Sequence, residues 1–244
     1  MATMQAEISG INSKRLDSRD DLELWLLGTE TIPEFNAFVL KVYNQAFTDG
    51  TYQIPAEEIE LPTTEYFHRA RVCGVRHKTG QLIGTWGLIL KDLADPGFLL
   101  PIEKRYGIPA QQILEAMNAP EAKYVFNGWR TAVDKDALEK FEIDRTKSIF
   151  VFDFLLRGLT MGFSDEPGRY IGAAEMEMLV LKYHRRVGIP WKIIGEPVHF
   201  WGRDRFPCAF RMSEYKEYMR THHPERHDFL YSLTPSPSPM GRGE

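Results

Sequence analysis

The sequence predicts an α/β protein built around a mixed β-sheet, and three observations support this class. Two strand-like stretches, 65–77 and 81–90, flank the short turn "KTG" and predict a β-hairpin. A third strand-like stretch, 123–133, precedes helix and strand patterns that alternate along the rest of the chain. Alternation of this kind is typical of a sheet whose strands are joined by crossover helices.

One helix and one long connection precede the hairpin. Residues 29–47 predict a helix, because apolar side chains recur there at helical spacing on one face. These side chains are Phe35, Phe38, Val39, Val42 and Ala46. Thr31 and Glu34 have the spacing of a capping box. The stretch 48–64 is rich in Pro and turn residues and predicts a long loop.

The middle of the chain holds a helical insertion and a buried helix. Residues 93–122 predict a loop that carries one or two short helices. Residues 146–163 are apolar almost all round, so we expect a largely buried helix. Asp153 and Arg157 lie four residues apart and are expected to pair on its only polar stripe.

The C-terminal part predicts the remaining strands. A short strand at 169–174 is followed by a helix at 175–190, which Gly188 ends as a left-handed cap. Strand-like stretches within 191–212 close the sheet, and a final helix is expected to begin at its cap, Ser213.

Composition excludes several classes of protein. The chain has 244 residues, 43% hydrophobic and 26% charged, with a formal net charge of −4, which argues against nucleic acid as the main partner. Cys73 and Cys208 form neither a disulfide framework nor a CxxC zinc motif, so a reducing, cytoplasmic location fits best. The N-terminal residues lack the apolar core of a signal peptide, and no stretch approaches the ~18 apolar residues of a membrane-spanning helix.

Three segments are expected along the chain. Residues 1–20 are polar and predict a flexible N-terminus, and residues 21–231 are enough for a single domain with a large core. Residues 232–244, "SLTPSPSPMGRGE", alternate Pro and Ser and predict a disordered tail.

The C-terminal half resembles a known family. The stretch "LVLKYHRRVGIPWKIIGEPVHFWGRDRFPCAF", residues 179–210, is similar to the end of acyl-homoserine-lactone synthases and of the related N-acyl amino acid synthases. "WRTAV", "VLKVYNQAF" and "LIGTWGLIL" resemble their central strand, first helix and G-T-x-R-L strand. The resemblance covers roughly residues 33–212. It implies the GNAT-type acyltransferase fold, a mixed sheet in which two central strands splay apart between flanking helices.

The chain also departs from the family pattern. It has Val39 where the family usually has Arg, Asn127 where it usually has Glu, and no Arg near Trp86. The acidic loop of the family is present with glutamates alone: Glu58, Glu60 and Glu65. The resemblance implies that these positions bind or activate the acceptor amine. The departures therefore argue against ordinary acyl-homoserine-lactone synthesis.

The strand "YVFNGWRTAV" is the expected donor site. Asn and Gly are poor strand residues, so Asn127 and Gly128 predict a bulge. In the implied fold, unpaired N–H groups of this strand hold the thioester carbonyl as it becomes an oxyanion. The predicted substrate-binding residues are Asn127, Gly128, Trp129, Thr131 and Trp86. Arg130 is expected either to face the donor as a catalytic residue or to bind a structural carboxylate; a plain bulge that adds twist is the alternative for the strand.

Acyl transfer to an amine requires a group that takes the proton of the amine. Asn127 cannot ionise, so this role must be absent or lie elsewhere. His68 and Glu65, at the start of the hairpin, are the predicted catalytic residues on the acceptor side, and His199 is a further candidate. An ordinary hydrogen-bonded histidine, on the surface or in the core, is the alternative for His68, and packing is the alternative for His199.

The donor is predicted from an absence. Residues 134–150 contain no Gly, so the phosphate-binding turn of many CoA-dependent enzymes is missing. We expect an acyl-carrier protein as partner and acyl-thioester donor, with acyl-CoA as the alternative and no tightly bound cofactor. The predicted landing patch for the carrier is basic: Arg145, Lys147, Lys182, Arg185 and Arg186. A solvated basic face would explain the same residues.

Three functions remain open. The first is transfer of a long acyl group from acyl-carrier protein to a small amine such as an amino acid. The second is non-catalytic binding of a lipid or a carrier protein, which Val39 and Asn127 favour. The third is CoA-dependent N-acetyl transfer, which the Gly-free stretch disfavours.

No metal is expected, because His222, His223 and His227 lack a carboxylate or Cys framework.

Overall fold

The computed structural model describes residues 12–47, 52–143, 145–161 and 168–231, and of 145–149 the backbone alone. Its described strands form one sheet: β1 (Lys14–Arg19), β2 (Leu22–Leu26), β3 (Ala70–His77), β4 (Leu82–Asp92), β5 (Tyr124–Val133), β6 (Tyr170–Glu177), β7 (Lys192–Ile193), β8 (Val198–Phe200) and β9 (Arg203–Arg211).

Helices cover both faces of this sheet. In chain order they are α1 (Ile32–Gln45), α2 (Glu57–Tyr66), α3 (Pro101–Tyr106), α4 (Ala110–Ala116), α5 (Lys135–Lys140), α6 (Arg145–Thr160), α7 (Met178–Arg186), α8 (Met212–His222) and α9 (Pro224–Tyr231). The α/β class with a mixed sheet is therefore confirmed.

The strands lie in the order β1-β2-β3-β4-β5-β6-β9-β7, and β8 also pairs with β9. Only the central pair β5–β6 is parallel; the other described pairs are antiparallel. A parallel pair needs a crossover connection, and α5 and α6 supply it. The predicted hairpin is β3–β4, and its residues are buried along almost their whole length because helices pack on both faces.

Two apolar cores lie on opposite faces of the sheet. One contains Trp86 and Phe126 with α6, α7 and α8, and the other contains Val72 and Trp129 with α1, α2, α3 and α4. The predicted buried helix is α6, and its side chains from Val151 to Thr160 are buried. Burial of these residues removes a large apolar area from water and stabilises the domain.

The N-terminal part differs from the prediction. Residues Lys14–Arg19 form the edge strand β1 inside the segment expected to be flexible, and the prediction is wrong for them. The expected long loop 48–64 contains most of α2, in which Ile59, Thr63 and Tyr66 are buried at helical spacing. Residues 1–11 and the predicted tail 232–244 lie outside the described residues.

Several predicted contacts are replaced by others. Thr31 and Glu34 form no capping box: the Thr31 hydroxyl donates to Gly28 O, 2.7 Å away, and Glu34 pairs with Arg76 at 2.5 Å. Ser213 lies inside α8, whose N-cap is Arg211.

Asp153 and Arg157 do not pair with each other. Arg226 of α9 binds Asp153 at 2.5 Å, and Arg157 binds Asp17 at 3.0 Å. Both partners lie far along the chain, so a pattern local to α6 does not reveal them. Helix α9, which supplies Arg226, was not predicted.

Candidate active site

The two central strands separate halfway along their length. β5 and β6 pair from Tyr124 with Tyr170 to Asn127 with Ala173, and in the described structure the ladder goes no further. Beyond this point β5 stays paired with β4, and β6 stays paired with β9. The main-chain groups that the two strands turn toward each other are therefore released from the sheet at Gly128 and Ala174.

A bulge in β5 lies beyond the point of separation. The register with β4 shifts between Thr85 and Gly87, so that Arg130 and Thr131 together oppose Trp86. Arg130 has a φ of +52°, a left-handed conformation that is uncommon for residues other than Gly. The Thr85 hydroxyl donates to Arg130 O at 3.1 Å and holds this turn of the backbone.

The bulge is not where the sequence predicted it. Asn127 and Gly128 stay in regular register opposite Ile89 and Leu88. The prediction of a bulge at these two residues is therefore wrong.

A cavity of about 860 Å³ fills the space between the separated strands. Its walls include Gly128 and Ala174 from the strands, Trp86 from one core and Trp201 from the other. The cavity therefore passes through the sheet and joins its two faces. A channel of this kind can hold an extended ligand with its reacting atoms near the strand edges.

One end of the cavity is charged. The Glu175 side chain is 11% exposed, and its Oε1 has no hydrogen-bond partner among the described residues. Its Oε2 lies 3.6 Å from Nη1 of Arg105. Burial raises the pKa of the Glu175 carboxyl, an effect that Arg105, Arg205 and Arg130 oppose.

Arg130 contributes the second charged group at this end. Its Nη2 donates to Glu58 O at 3.0 Å, and its guanidinium lies 5.3 Å from the ring centroid of Trp201. Its Nε is buried with no partner in the described part of the chain. Burial lowers the pKa of Arg130 to about 10, so the group remains charged at neutral pH.

The opposite end is aromatic and apolar. Trp86 is 4% exposed, packs against Phe152 with ring centroids 4.8 Å apart, and leaves its Nε1 without a described partner. His184 accepts a hydrogen bond from Trp191 Nε1 at 3.2 Å. Burial lowers the pKa of His184 to about 4, so its ring is neutral at physiological pH.

The sequence matches no known family model and no curated protein. Among solved structures it is similar to FeeM, an N-acyl amino acid synthase from uncultured soil microbes, with a TM-score of 0.55 and 14% identity, over 81% of this chain and 93% of that one. It is also similar to BjaI, a CoA-dependent acyl-homoserine lactone synthase, with a TM-score of 0.49 and 13% identity over 83% of each chain. The chain has the GNAT-like fold. At these identities the likeness shows the fold alone.

Most of the residues predicted to bind substrate line the cavity of this GNAT-like domain. Trp86, Gly128, Trp129 and Thr131 are among its walls, and so is Arg130, the predicted catalytic residue. They meet there because the predicted strand borders the opening on one side and the hairpin strand β4 lies behind it.

Asn127 does not belong to the described lining of the cavity. It is fully buried, accepts from Ile102 N at 3.2 Å and donates to Gly128 O at 2.8 Å. The first bond joins β5 to the start of α3 and the second stays within β5, so the contacts of Asn127 are structural.

The predicted acceptor-side residues are only partly brought together. Glu65 lies at the rim of the cavity and forms an ion pair with Lys104. His68 is exposed in the turn Phe67–Arg69 and is not among the described residues that line the cavity. His199 is exposed as well and pairs with Asp204 at 2.9 Å.

The predicted landing patch is described in part. Arg185 and Arg186 are exposed at the end of α7, and Arg185 Nε donates to Trp191 O at 2.9 Å. Near them, Leu179 and Val180 at the start of α7 line the cavity. The side chains of Arg145 and Lys147 lie outside the described residues.

Several residues at the site were not predicted. Glu175, Arg105, Tyr43 and His184 all line the cavity. Glu175 was missed because the predicted helix 175–190 included it, whereas it lies in β6, which continues to Glu177. His184 precedes Arg185 and Arg186 in the last turn of α7, and this basic sequence predicts an exposed side chain although His184 is buried.

Other groups are unsuited to chemistry at this site. Burial raises the pKa of Cys73 to about 11 and that of Cys208 to about 12, so neither thiol is a nucleophile at neutral pH. No set of three metal-ligating side chains that could hold an ion is found in the described ranges.

Over those same ranges no helix is both long and apolar enough to cross a membrane.

Proposed function

We propose that the protein is an acyltransferase that moves an acyl group from a thioester to an amine inside the cavity between β5 and β6. The observation that carries this proposal is the end of the β5–β6 ladder at Asn127 and Ala173, with a cavity on both faces of the opening. Acyl transfer needs donors for a developing oxyanion, and freed main-chain N–H groups at a strand edge supply them without reorganisation. The shared fold with the FeeM synthase adds to this support.

The thioester arm fits the opening beside Gly128. A Cβ placed on this residue would lie 3.5 Å from Ala174 Cβ and 3.7 Å from Ala173 O, so glycine leaves a narrow slot between the strands. An extended chain can lie against the backbone there. The apolar end of the cavity, with Met176, Leu179 and Val180, suits a long acyl chain.

The acceptor amine fits the charged end. Arg130 is a buried cation that forms no salt bridge with a described carboxylate, and it can bind the carboxylate of an acceptor such as an amino acid. Glu175 lies in the same cavity with one free oxygen and a raised pKa, as suits the group that takes the proton of the amine. We therefore place the acceptor between Arg130 and Glu175.

The chemical step needs no covalent enzyme intermediate. The neutral amine nitrogen attacks the thioester carbonyl carbon, forming the C–N bond, and the carbonyl oxygen becomes an oxyanion. A proton of the attacking nitrogen passes to the Glu175 carboxylate. The carbonyl then re-forms as the C–S bond breaks, and the leaving thiolate takes the proton from Glu175 to become the thiol. The protein mainly positions the two substrates and stabilises the oxyanion.

We propose acyl-carrier protein rather than CoA as the donor. The first helix after β5, α5, is capped by Asp134, whose Oδ1 accepts from the N–H groups of Asp136 and Ala137 at 3.0 and 3.3 Å. A pyrophosphate would find these amides taken and a carboxylate in its place. The exposed basic residues of α7 provide a surface for an acidic carrier.

Glu65 and His68 retain secondary roles in the proposal. Glu65 is a second candidate for the proton acceptor because it lies at the cavity rim, although its ion pair with Lys104 engages it there. His68 stays a prediction, and its exposed position favours a role at the acceptor entrance rather than in the chemical step.

The test compares donors and acceptors directly. Purified protein is incubated with long-chain acyl-carrier protein, long-chain acyl-CoA or acetyl-CoA and a panel of amines and amino acids, and products are followed by mass spectrometry. We expect loss of the acyl-carrier thioester together with formation of an N-acyl amino acid. A stably bound thioester without turnover would replace the proposal with a binding function. Turnover of acetyl-CoA alone would replace it with N-acetyl transfer.

A further inference from the structure

The indole N–H of Trp86 is a buried donor without a partner. Trp86 is 4% exposed, and its Nε1 makes no hydrogen bond within the described part of the protein. Buried N–H groups are nearly always paired, because an unpaired one loses its bond to water and gains nothing. A donor left in this state points to a partner that arrives with a ligand.

This donor lies at the opening between β5 and β6. A Cβ built on Gly128 would lie 3.8 Å from Trp86 Nε1, so the indole nitrogen lies beside the first residue of β5 past the ladder. Gly128 and Trp86 both line the cavity. The donor therefore lies where the two strands begin to part.

The indole ring is held rigidly in this position. Its centroid lies 4.8 Å from that of Phe152 and 5.9 Å from that of His184. The bulge at Arg130 and Thr131 opposes Trp86 on the neighbouring strand. The neighbouring His184 is neutral, with a pKa of about 4, and adds no competing positive charge. Packing on this scale pre-organises a donor before any ligand binds.

We propose that Trp86 Nε1–H donates a hydrogen bond to the carbonyl oxygen of the acyl thioester and stabilises the oxyanion that forms on it. This inference rests on the proposed acyltransferase function and adds a side-chain donor to the main-chain donors of β5. The ligand class is a thioester, or any acyl analogue that keeps the carbonyl oxygen. No bond is formed or broken at Trp86, so the indole is a donor only.

The test uses Trp86→Phe, which removes the N–H and keeps an aromatic ring against Phe152. Two long-chain analogues of the donor arm are compared by calorimetry: a ketone, in which CH₂ replaces sulfur and the carbonyl stays, and a thioether, which keeps sulfur and lacks the carbonyl. We expect the variant to bind the ketone about tenfold more weakly and the thioether unchanged. Trp25→Phe is the control, since Trp25 Nε1 bonds Glu23 outside the cavity.

Kinetics and NMR give independent readouts. We expect kcat to fall roughly 10²-fold in Trp86→Phe and the KM for the thioester to rise by no more than about tenfold, since the bond exists in the ground state and strengthens on the oxyanion. In protein with ¹⁵N-labelled indoles, the Trp86 signal should move downfield with the ketone and not with the thioether. The melting temperature should fall by only a few degrees, because the smaller ring loses packing contacts in the core but no protein hydrogen bond is lost.

The outcomes separate the two proposals. Equal binding of the ketone by wild type and Trp86→Phe, with unchanged kcat, overturns the role of Trp86 alone. Weaker binding of both analogues with unchanged kcat assigns the N–H to another carbonyl of the donor arm and also overturns the inference. Failure of the wild-type protein to bind either analogue overturns the acyltransferase proposal together with it.

Discussion

Gly128 of β5 and Ala174 of β6 come directly after the last residues that pair these two strands with each other. A Cβ on Gly128 would lie 3.5 Å from that of Ala174. At this pair the β5–β6 ladder ends and the cavity between the two strands begins. Main-chain donors, the Trp86 indole and the charged groups Arg130 and Glu175 all border the space that opens there. The site is thus produced by strands that stop pairing, not by a loop laid over the sheet.

Gly128→Val tests whether the thioester arm lies in the slot. The Cβ has room, at ordinary van der Waals distance from its neighbours, but the two added methyl groups would fill the space beside Trp86. We expect binding of the thioether analogue to weaken at least about tenfold. The melting temperature should change by less than about 4 °C, as for a change near 1 kcal/mol in a domain of this size.

Two further variants calibrate that result. Gly128→Ala adds only the Cβ and should have an intermediate effect on binding. Gly97→Val changes an exposed glycine whose Cβ would meet only Asp95, at 3.6 Å, and should bind the analogue as wild type does. Unchanged binding by Gly128→Val would remove the donor from this opening.

Glu175→Gln tests the proton acceptor. The amide keeps the size of the side chain and cannot take a proton, so kcat should fall roughly 10²- to 10⁴-fold. In wild type the active form is the carboxylate, so kcat/KM should rise with pH through a pKa above 4.5, the ordinary value. This rise of kcat/KM with pH should be absent from Glu175→Gln. The control variant Glu60→Gln, at an exposed position, should keep the rise.

The same variant has a stability signature of known sign. Burial favours the protonated form of Glu175 in the folded state, so wild type loses stability as pH rises above 4.5, where the unfolded state ionises first. Glu175→Gln should therefore be more stable than wild type at pH 7, and the difference should disappear near pH 4. If Glu65→Gln reduced kcat and Glu175→Gln did not, the proton acceptor would be the rim carboxylate.

The sequence predicts the sheet better than it predicts the site. The central strand, the hairpin and α7 follow from apolar periodicity and from Gly188, whose φ of +94° ends the helix. Helix α2 was missed because Pro62 and the turn residues before it suggest a loop, although Ile59 and Tyr66 carry the helical spacing of its buried face. Burial overrides local propensity there.

The bulge shows why local residues mislead. Asn127 and Gly128 are weak strand formers, yet they stay in register because Asn127 bonds Ile102 and Gly128 is not strained. The irregular residue is Arg130: the Thr85 hydroxyl bonds its left-handed backbone, and Glu58 O accepts from its guanidinium. Those contacts are remote in sequence, so no pattern within the strand could place the bulge.

Arg130→Gly and Arg130→Ala separate the backbone of Arg130 from its guanidinium. Both variants lose the charge, so both should raise the KM for an acidic acceptor. Because Arg130 has a φ of +52°, the Gly variant should be about 1 kcal/mol more stable than the Ala variant in urea unfolding. The same pair at Arg69, where φ is not positive, should show no advantage for Gly. An unchanged acceptor KM would exclude Arg130 from the acceptor site.

His184 predicts a loss of stability at mildly acid pH. Its pKa is about 4 in the folded protein against an ordinary value of 6.5, because burial disfavours the charged ring. The stabilisation that this provides is fully present above pH 6.5 and is lost as pH falls from 6.5 to about 4. Unfolding in urea should show roughly 3 kcal/mol of such loss in wild type. His184→Gln keeps an acceptor for Trp191 and should not show this loss of stability at acid pH. The control His68→Gln, at an exposed position, should show the same loss as wild type.

The double variant Lys182→Glu with Arg186→Glu tests the carrier surface. Both side chains are exposed on α7, whose first turn lines the cavity. Reversing two charges should lower kcat/KM for acyl-carrier protein about tenfold at low salt, and the effect should shrink as salt screens the interaction. Turnover of a short acyl-pantetheine, which needs no docking, should change by less than about twofold, as should both activities in the exposed control Lys123→Glu. Equal losses with both donors would place the effect of α7 on the cavity itself and leave the carrier without a docking surface there.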